Sequence, residues 1–595
     1  MSATFNKRGR RPARAPRAAS LVAVFLVALA ALGSCGQPDP VDETVYPVSA
    51  SFDAADESAW TAAGPSVRFR THAPDDRNEE VSFTASGLVA GQAFLVVTNA
   101  DPGASFALSG TLANAAPEAR TALDASATAD SAARYLRDIP AVSAFNADPW
   151  AFVSKEATSR SIVPAAPLAS ATPLLGTSNI FSIIVGDVSA IPPTYTEVAA
   201  TCHWEIEDSG GRVVRIWVQD TEWETSGAKV TQTMVDAMGE RFFKPDTTGD
   251  DILDWVSGIF GDDYNPGSVP PYGMIADTDA LDILVADIAD QKIDNGGIVG
   301  YFHSLHNYSA TVAGAENSNE RIMFFVDAPM FANSSNNGGD NDRTWSATDY
   351  WPEQVWSTLA HELQHMIHFN EKIVERGVST SSTWFNEMCS AAAEDFVSRR
   401  LAVDGPRGVP YDDGTDGGLV TSDGRLPYFV AQPANTLTVW TGSNEDYATV
   451  YAFAAWLGRN YGAGSFSSMV QGNLDGFDAV LASTPEAATG EALRNWAIAA
   501  LSSSRQDMSP SWEFNGSGTG WFPSDTDENR LGSIELANYQ WPGASVTGLV
   551  PATSIPAGSI APAANLYIEL PVVDGTASGT LTLYRGMSMT VVVTD

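Results

Sequence analysis

Three of the chain's seven histidines fall within "LAHELQHMIHFNE", residues 359–371. His361 and His365 stand four residues apart, which on a helix stacks them one turn apart on one face. Two neutral imidazoles so placed can converge on one Zn²⁺, and Glu362 beside the first can reach a water at the metal without binding it. The spacing H-E-x-x-H thus suggests hydrolysis. Zinc lowers the pKa of its water, and the carboxylate takes a proton and later returns it to a leaving amine.

Such a site needs elements to hold it. The stretch "PEQVWSTLAHELQHMIHF" starts with Pro352, tolerated in a first helical turn, and contains no later breaker. Upstream, "RVVRIWVQD" (212–220), "LDILVADI" (281–288) and "RIMFFVDAP" (321–329) read as apolar strands. In "KVTQTMVDAMGERFF" (229–243), Val230, Met234, Val235, Met238 and Phe242 mark one helical face. Downstream, "WFNEMCSAAAEDF" (384–396) reads as a helix with Glu387, Ala391 and Glu394 on one side and small residues permitting close approach. The strand 321–329 is a candidate to pair an extended substrate main chain, or else a core strand.

The third metal ligand has competing candidates. A continuation H-x-x-G-x-x-H is disfavoured, because His368 replaces the glycine and Glu371 the last histidine. Asn386, Glu387 and Ser390 instead match the N-E-x-x-S pattern of the gluzincins. The runs "TLAHELQHMIHFNEK" and "WFNEMCSAAAEDF", with "LDILVADI" and "GGIVGYF", resemble the hyicolysin-like neutral metallopeptidases over roughly residues 200–540. The resemblance implies a zincin-like fold and peptide hydrolysis at one zinc per chain. It gives His361, His365 and Glu387 the ligand role and Glu362 that of the base. Glu394 is taken as partner to a ligand histidine. Two departures stand out. Ala391 occupies the place of an aspartate in thermolysin-type enzymes, and "GAEN" (314–317) lacks the methionine of the aminopeptidase motif. Within "YATVYAFAAWLGRNYG", similar to the tyrosine helix of gluzincin aminopeptidases, Tyr447 is the first candidate for oxyanion stabiliser and Tyr451 the second. His368 is read as a polar residue near the site, and His303 and His306 as loop histidines.

At 595 residues more than one core is expected. Lys7, Arg8, Arg10, Arg11, Arg14 and Arg17 precede an apolar run, Leu21 to Leu32, that ends in "LGSC". This reads as an export signal with a lipobox, Cys35 being the lipid-modified residue. The remaining thiols, Cys202 and Cys389, allow at most one disulfide. A net charge of −39 repels nucleic acid backbone and suits an exported soluble surface. Acidic turns at 246–251 and 261–265 are compatible with Ca²⁺, but neither has EF-hand spacing, and plain turns are the preferred reading.

The expected architecture is multidomain α+β. It comprises a signal (1–35), a β-rich N-terminal domain (36–110), an Ala/Ser/Pro-rich linker or propeptide-like region (111–195), a zincin-like catalytic domain with mixed sheet and helical metal site (196–545) and a small C-terminal β module (546–595). The leading functional expectation is a zinc endopeptidase of the bacterial cell envelope acting on proteins or peptides, reaching the membrane only through Cys35. Zinc aminopeptidase activity, or an adhesin on an inactive zincin scaffold, are the alternatives.

Overall fold

The computed structural model describes residues 44–115, 139–153, 174–224, 229–245, 249–267, 273–276, 279–288, 297–409, 424–505, 508–516 and 531–594. Cys35 and residues 246–248 lie outside them.

Seven strands come first: β1 (Val45–Asp53), β2 (Thr61–Gly64), β3 (Val67–His72), β4 (Asn78–Ser86), β5 (Ala93–Asn99), β6 (Phe106–Leu108) and β7 (Gly110–Leu112). Six more follow: β8 (Ser178–Val185), β9 (Thr194–Glu207), β10 (Val213–Gln219), β11 (Ala280–Ala286), β12 (Gly300–Phe302) and β13 (Met323–Asp327). The last are β14 (Gly558–Ile560), β15 (Ala564–Glu569), β16 (Thr576–Leu583) and β17 (Met587–Thr594). The described α-helices are α1 (Pro140–Ala147), α2 (Gln232–Phe242), α3 (Ile252–Phe260), α4 (Ala328–Phe331), α5 (Tyr350–Phe369), α6 (Thr383–Leu401), α7 (Leu426–Ala431), α8 (Asn444–Gln471), α9 (Gly476–Ser483) and α10 (Thr489–Leu501).

The two β-rich ends of the chain were expected as separate units; they share two sheets, with orders β1-β4-β16-β7 and β15-β5-β17-β3-β2. Alternation within each strand explains the packing. Val81, Phe83 and Ala85 of β4 and Met587, Met589, Val591 and Val593 of β17 point into one apolar layer between the sheets. Neither end could bury these faces alone, so the C-terminal strands complete an N-terminal sandwich rather than form a module of their own. On the outer face, Val67, Phe69, Val96 and Val592 pack on Ala497 and Ile498 of α10, which joins the sandwich to the helical region.

A third, six-stranded sheet has the order β12-β13-β11-β10-β9-β8. β10, β11 and β13 run parallel, whereas β12 is antiparallel to β13 and forms one edge. The candidate substrate strand, 321–329, is therefore not available: β13 lies inside the sheet with all five residues buried. The region expected as linker also contributes structure, since β8 extends the six-stranded sheet through the apolar residues Phe181, Ile183 and Ile184.

α5 lies against β12, and α6 packs on both α5 and α8. Gly300 permits the first of these approaches: a Cβ there would stand 2.6 Å from Phe325 O and 2.8 Å from Thr358 Cγ2. Beyond Phe369 the helix continues as a π turn, Asn370–Glu375.

Candidate metal centre

α5 begins after Asp349 with Pro352 in its first turn and buries nearly every residue from Val355 onward. That burial fixes its rotation and sets His361 and His365 side by side. Their Nε2 atoms are 3.0 Å apart. Glu387 comes from α6, with Oε2 3.3 Å from His361 Nε2 and Oε1 3.4 Å from His365 Nε2. Among the described residues these three form a cluster able to hold a metal ion.

The cluster fits zinc. Donors each about 2.0–2.1 Å from a tetrahedral zinc stand roughly 3.3 Å from one another, close to the separations found. Two histidines and a glutamate are also the donor set of a catalytic zinc with one position left open. Glu387 Oε2 is buried and has no hydrogen-bond partner, a costly arrangement for an anionic oxygen unless a cation faces it.

Both imidazoles are held in the tautomer this requires. His361 Nδ1 donates to Glu394 Oε1 at 2.8 Å. Glu394 in turn accepts from Ser357 Oγ at 2.7 Å and from the Arg425 guanidinium at 2.5 Å. Ser390 Oγ donates to Gln364 Oε1, so it accepts from His365 Nδ1 at 3.0 Å. Each Nε2 thereby faces Glu387, and an Nε2 that has given up its proton offers its lone pair there. Ala391 sits where an aspartate was absent by comparison with thermolysin-type enzymes; Glu394, one turn further along α6, reaches His361 instead.

Burial works against charge throughout the cluster, and the carboxylates decide who wins. Burial disfavours His361 as a cation, yet the Glu387 and Glu394 carboxylates beside it outweigh this and raise its pKa to about 10. Burial dominates at His365 and lowers it to about 4. Burial alone would raise Glu394, but Arg425, His361 and Ser357 hold it at about 2.

Glu362 lies beside the cluster and not in it. Its Oε2 accepts the Phe302 N–H at 2.7 Å, so the end of β12 orients the carboxylate. Tyr447 lines the same cavity as His361, Glu362, His365 and Glu387. Its ring lies edge-on to Trp440 at 4.8 Å and under the Arg425 guanidinium at 5.3 Å. Tyr451 does not reach this cavity; its hydroxyl is buried without a hydrogen-bond partner, near Asp395 and Arg459.

The other histidines are accounted for elsewhere. His368 Nε2 donates to Ser381 Oγ at 2.7 Å, the hydroxyl passing its own proton to Asp475 Oδ1 at 2.8 Å. His303 and His306 are buried against Phe145, Tyr195 and Phe325, and His306 Nδ1 accepts the Asn319 N–H. Glu371 binds the Asp262 N–H and Arg376, away from the metal cluster. In "GAEN", Glu316 is exposed and bonds only locally, to the Gly314 N–H. Asp251 caps α3 and Asp263 pairs with Arg212, so the described acidic turn residues serve structural ends. Cys202 and Cys389 are both buried and free.

Sequence reasoning missed three side chains here. Ser357 had a signal, since it precedes His361 by one helical turn. Gln364 and Arg425 had none that local spacing could supply.

Residues 195–594 match the family described as peptidase M30. A neutral metalloprotease, ShpI, from Staphylococcus hyicus is 27% identical over 194 residues, which cover 32% of this chain and 35% of that protein. The match thus spans about a third of the relative's length.

Proposed function

The chain belongs to the peptidase M30 family, and on that premise we propose that it is an exported zinc endopeptidase. The observation that carries the proposal is the convergence of His361 Nε2, His365 Nε2 and the Glu387 carboxylate, with Glu362 oriented beside them by a main-chain N–H. His361, His365 and Glu387 would hold the metal. When bound, zinc supplies a Lewis acid that polarises the scissile carbonyl and eases deprotonation of the attacking water.

The protein's own groups divide the remaining work. Glu362 takes the proton from water and delivers it to the leaving amine. The Phe302 N–H keeps that carboxylate aimed. Tyr447 is proposed as the hydroxyl donor to the developing oxyanion, supported by its place in the cavity wall. β12, the antiparallel edge of the sheet, offers main-chain hydrogen bonds to an extended substrate. An extended-chain site accepts internal bonds, and the incomplete amine motif lies on an exposed turn, so internal cleavage is favoured over removal of N-terminal residues. Lipid anchoring at Cys35 belongs to the same proposal; membrane fractionation of Cys35→Ser tests it, and unchanged retention and processing would remove it.

The decisive measurement pairs zinc content with hydrolysis of a peptide blocked at both ends, on the same preparation. Glu362→Gln should keep its zinc and lose about 10²–10⁴-fold in rate. His361→Ala should lose the zinc. Undiminished hydrolysis by Glu362→Gln, or stoichiometric zinc in His361→Ala, would overturn the assignment.

A further inference from the structure

The metal cluster is enclosed. His361, Glu362, His365 and Glu387 are exposed by only 4, 5, 8 and 4%. The cavity they face holds about 40 Å³, room for a few waters, each needing roughly 10–15 Å³ by this measure, and none for a peptide. One wall consists of Ile139, Val142, Ser143, Asn146 and Ala147, all from α1 and the residue before it. α1 precedes the residues that match the peptidase family, which start at 195.

α1 is tied to both sides of the cleft. Asn146 Nδ2 donates to Phe302 O at 2.7 Å, and Asn146 Oδ1 accepts from Ser304 N at 2.8 Å. Phe302 O belongs to the last residue of β12, the edge that an extended substrate would use, and Ser304 N lies two residues beyond it, at the start of a 3-10 turn. The carboxamide supplies one donor and one acceptor, the pair that a peptide group presents. On the opposite side, Ser381 N donates to Ala147 O at 2.9 Å. Apolar anchors complete the seat. Ile139 and Val142 pack in the layer that contains Phe181 and Tyr301, and Phe145 stacks on Phe152 at 5.4 Å.

We propose that residues 139–153 are a built-in occupant of the substrate cleft, with Asn146 standing in for substrate main chain, so that the full chain is latent until this segment is displaced. The inference rests on the protease reading above. It explains why a site whose metal must meet a peptide is narrowed to room for a few waters. A general hydrophobic roof would not need an amide matched to the two main-chain groups that flank His303.

The test uses zinc-loaded full-length protein, wild type and Asn146→Ala, with two readouts. One is hydrolysis of an internally quenched peptide blocked at both ends. The other is binding of a fluorescent peptide hydroxamate, which reports access to the metal without turnover. Asn146→Ala should raise kcat/KM and hydroxamate affinity together by about tenfold, the scale set by two hydrogen bonds lost from the closed state. A synthetic peptide of residues 139–153 should inhibit the variant, and the same peptide carrying Asn146→Ala should inhibit it less. A wild type as active and as accessible as the variant, with no inhibition by the peptide, would overturn latency while leaving the protease reading intact. A zinc-loaded variant that binds hydroxamate yet never cleaves would instead defeat the protease reading. If Asn146→Ala does not fold, adding hydroxamate to the wild type decides the matter: tight, immediate binding means an open cleft and sinks the proposal, whereas weak binding that improves on raising urea below the unfolding midpoint supports it.

Discussion

At the scale of single residues, the metal cluster sets up a contest between protons and metal. His361 is held protonated by Glu387 and Glu394 against the cost of burial, with its pKa raised to about 10, whereas His365 is lowered to about 4 and Glu387 is lowered too. At pH 7, binding zinc to protein stripped by chelation must therefore displace one proton, from His361, and none from the other two ligands. The sign follows: affinity rises with pH until it passes the His361 pKa, and falls on acidification. Calorimetric titration with zinc in buffers of different ionisation enthalpy should report about one proton released per metal ion; a value near zero would contradict the ligand assignment or the tautomers. Much of this site was legible in sequence, because a helix converts spacing into direction. His361, Glu362 and His365 lie within one turn and a half, and Glu387 and Glu394 repeat the trick on α6. Arg425 was not legible, for its contact with Glu394 depends on how distant helices pack, and packing leaves no periodic trace.

At the scale of elements, the edge strand matters more than its three residues suggest. β12 supplies the N–H that holds Glu362 and, with Ser304 just beyond it, the two groups that Asn146 occupies. Its closeness to α5 is made possible by Gly300, the first glycine of "GYF". Gly300→Ala should push the strand from the helix, since the added carbon would meet a carbonyl oxygen and a methyl within 2.8 Å. Overpacking of this kind typically costs about 1–3 kcal/mol. The urea midpoint should fall, and the activity of the unplugged protein should fall further than stability accounts for, because Glu362 loses its aim. An unchanged midpoint with unchanged activity would show that the close approach is dispensable. The sequence left 321–329 as either a substrate strand or a core strand; its apolar run follows from burial on both faces inside a sheet, which decides for the core.

At the scale of the whole molecule, the chain's two ends meet. The alternating runs at both termini were readable as strands, but their pairing was not, since register between distant segments is set by tertiary packing and not by local pattern. A chain ended before Gly558 would lose β14 to β17, strip β5 of both its neighbours and leave β3 and β4 with one each. Such a truncation should make residues 44–112 sensitive to proteolysis under conditions where the intact protein resists; equal resistance would mean that the N-terminal strands fold by themselves. Position along the chain also becomes order in time. Thr71 and Thr590, whose hydroxyls meet across β3 and β17, are 519 residues apart. During synthesis the N-terminal strands must wait, with apolar faces bare, until their partners at 558–594 have been made. Non-local pairing of this kind is slow and exposed to aggregation. The sandwich therefore closes only after β15 to β17 have been made, and loss of these strands is felt about 500 residues away, in the faces of β3, β4 and β5.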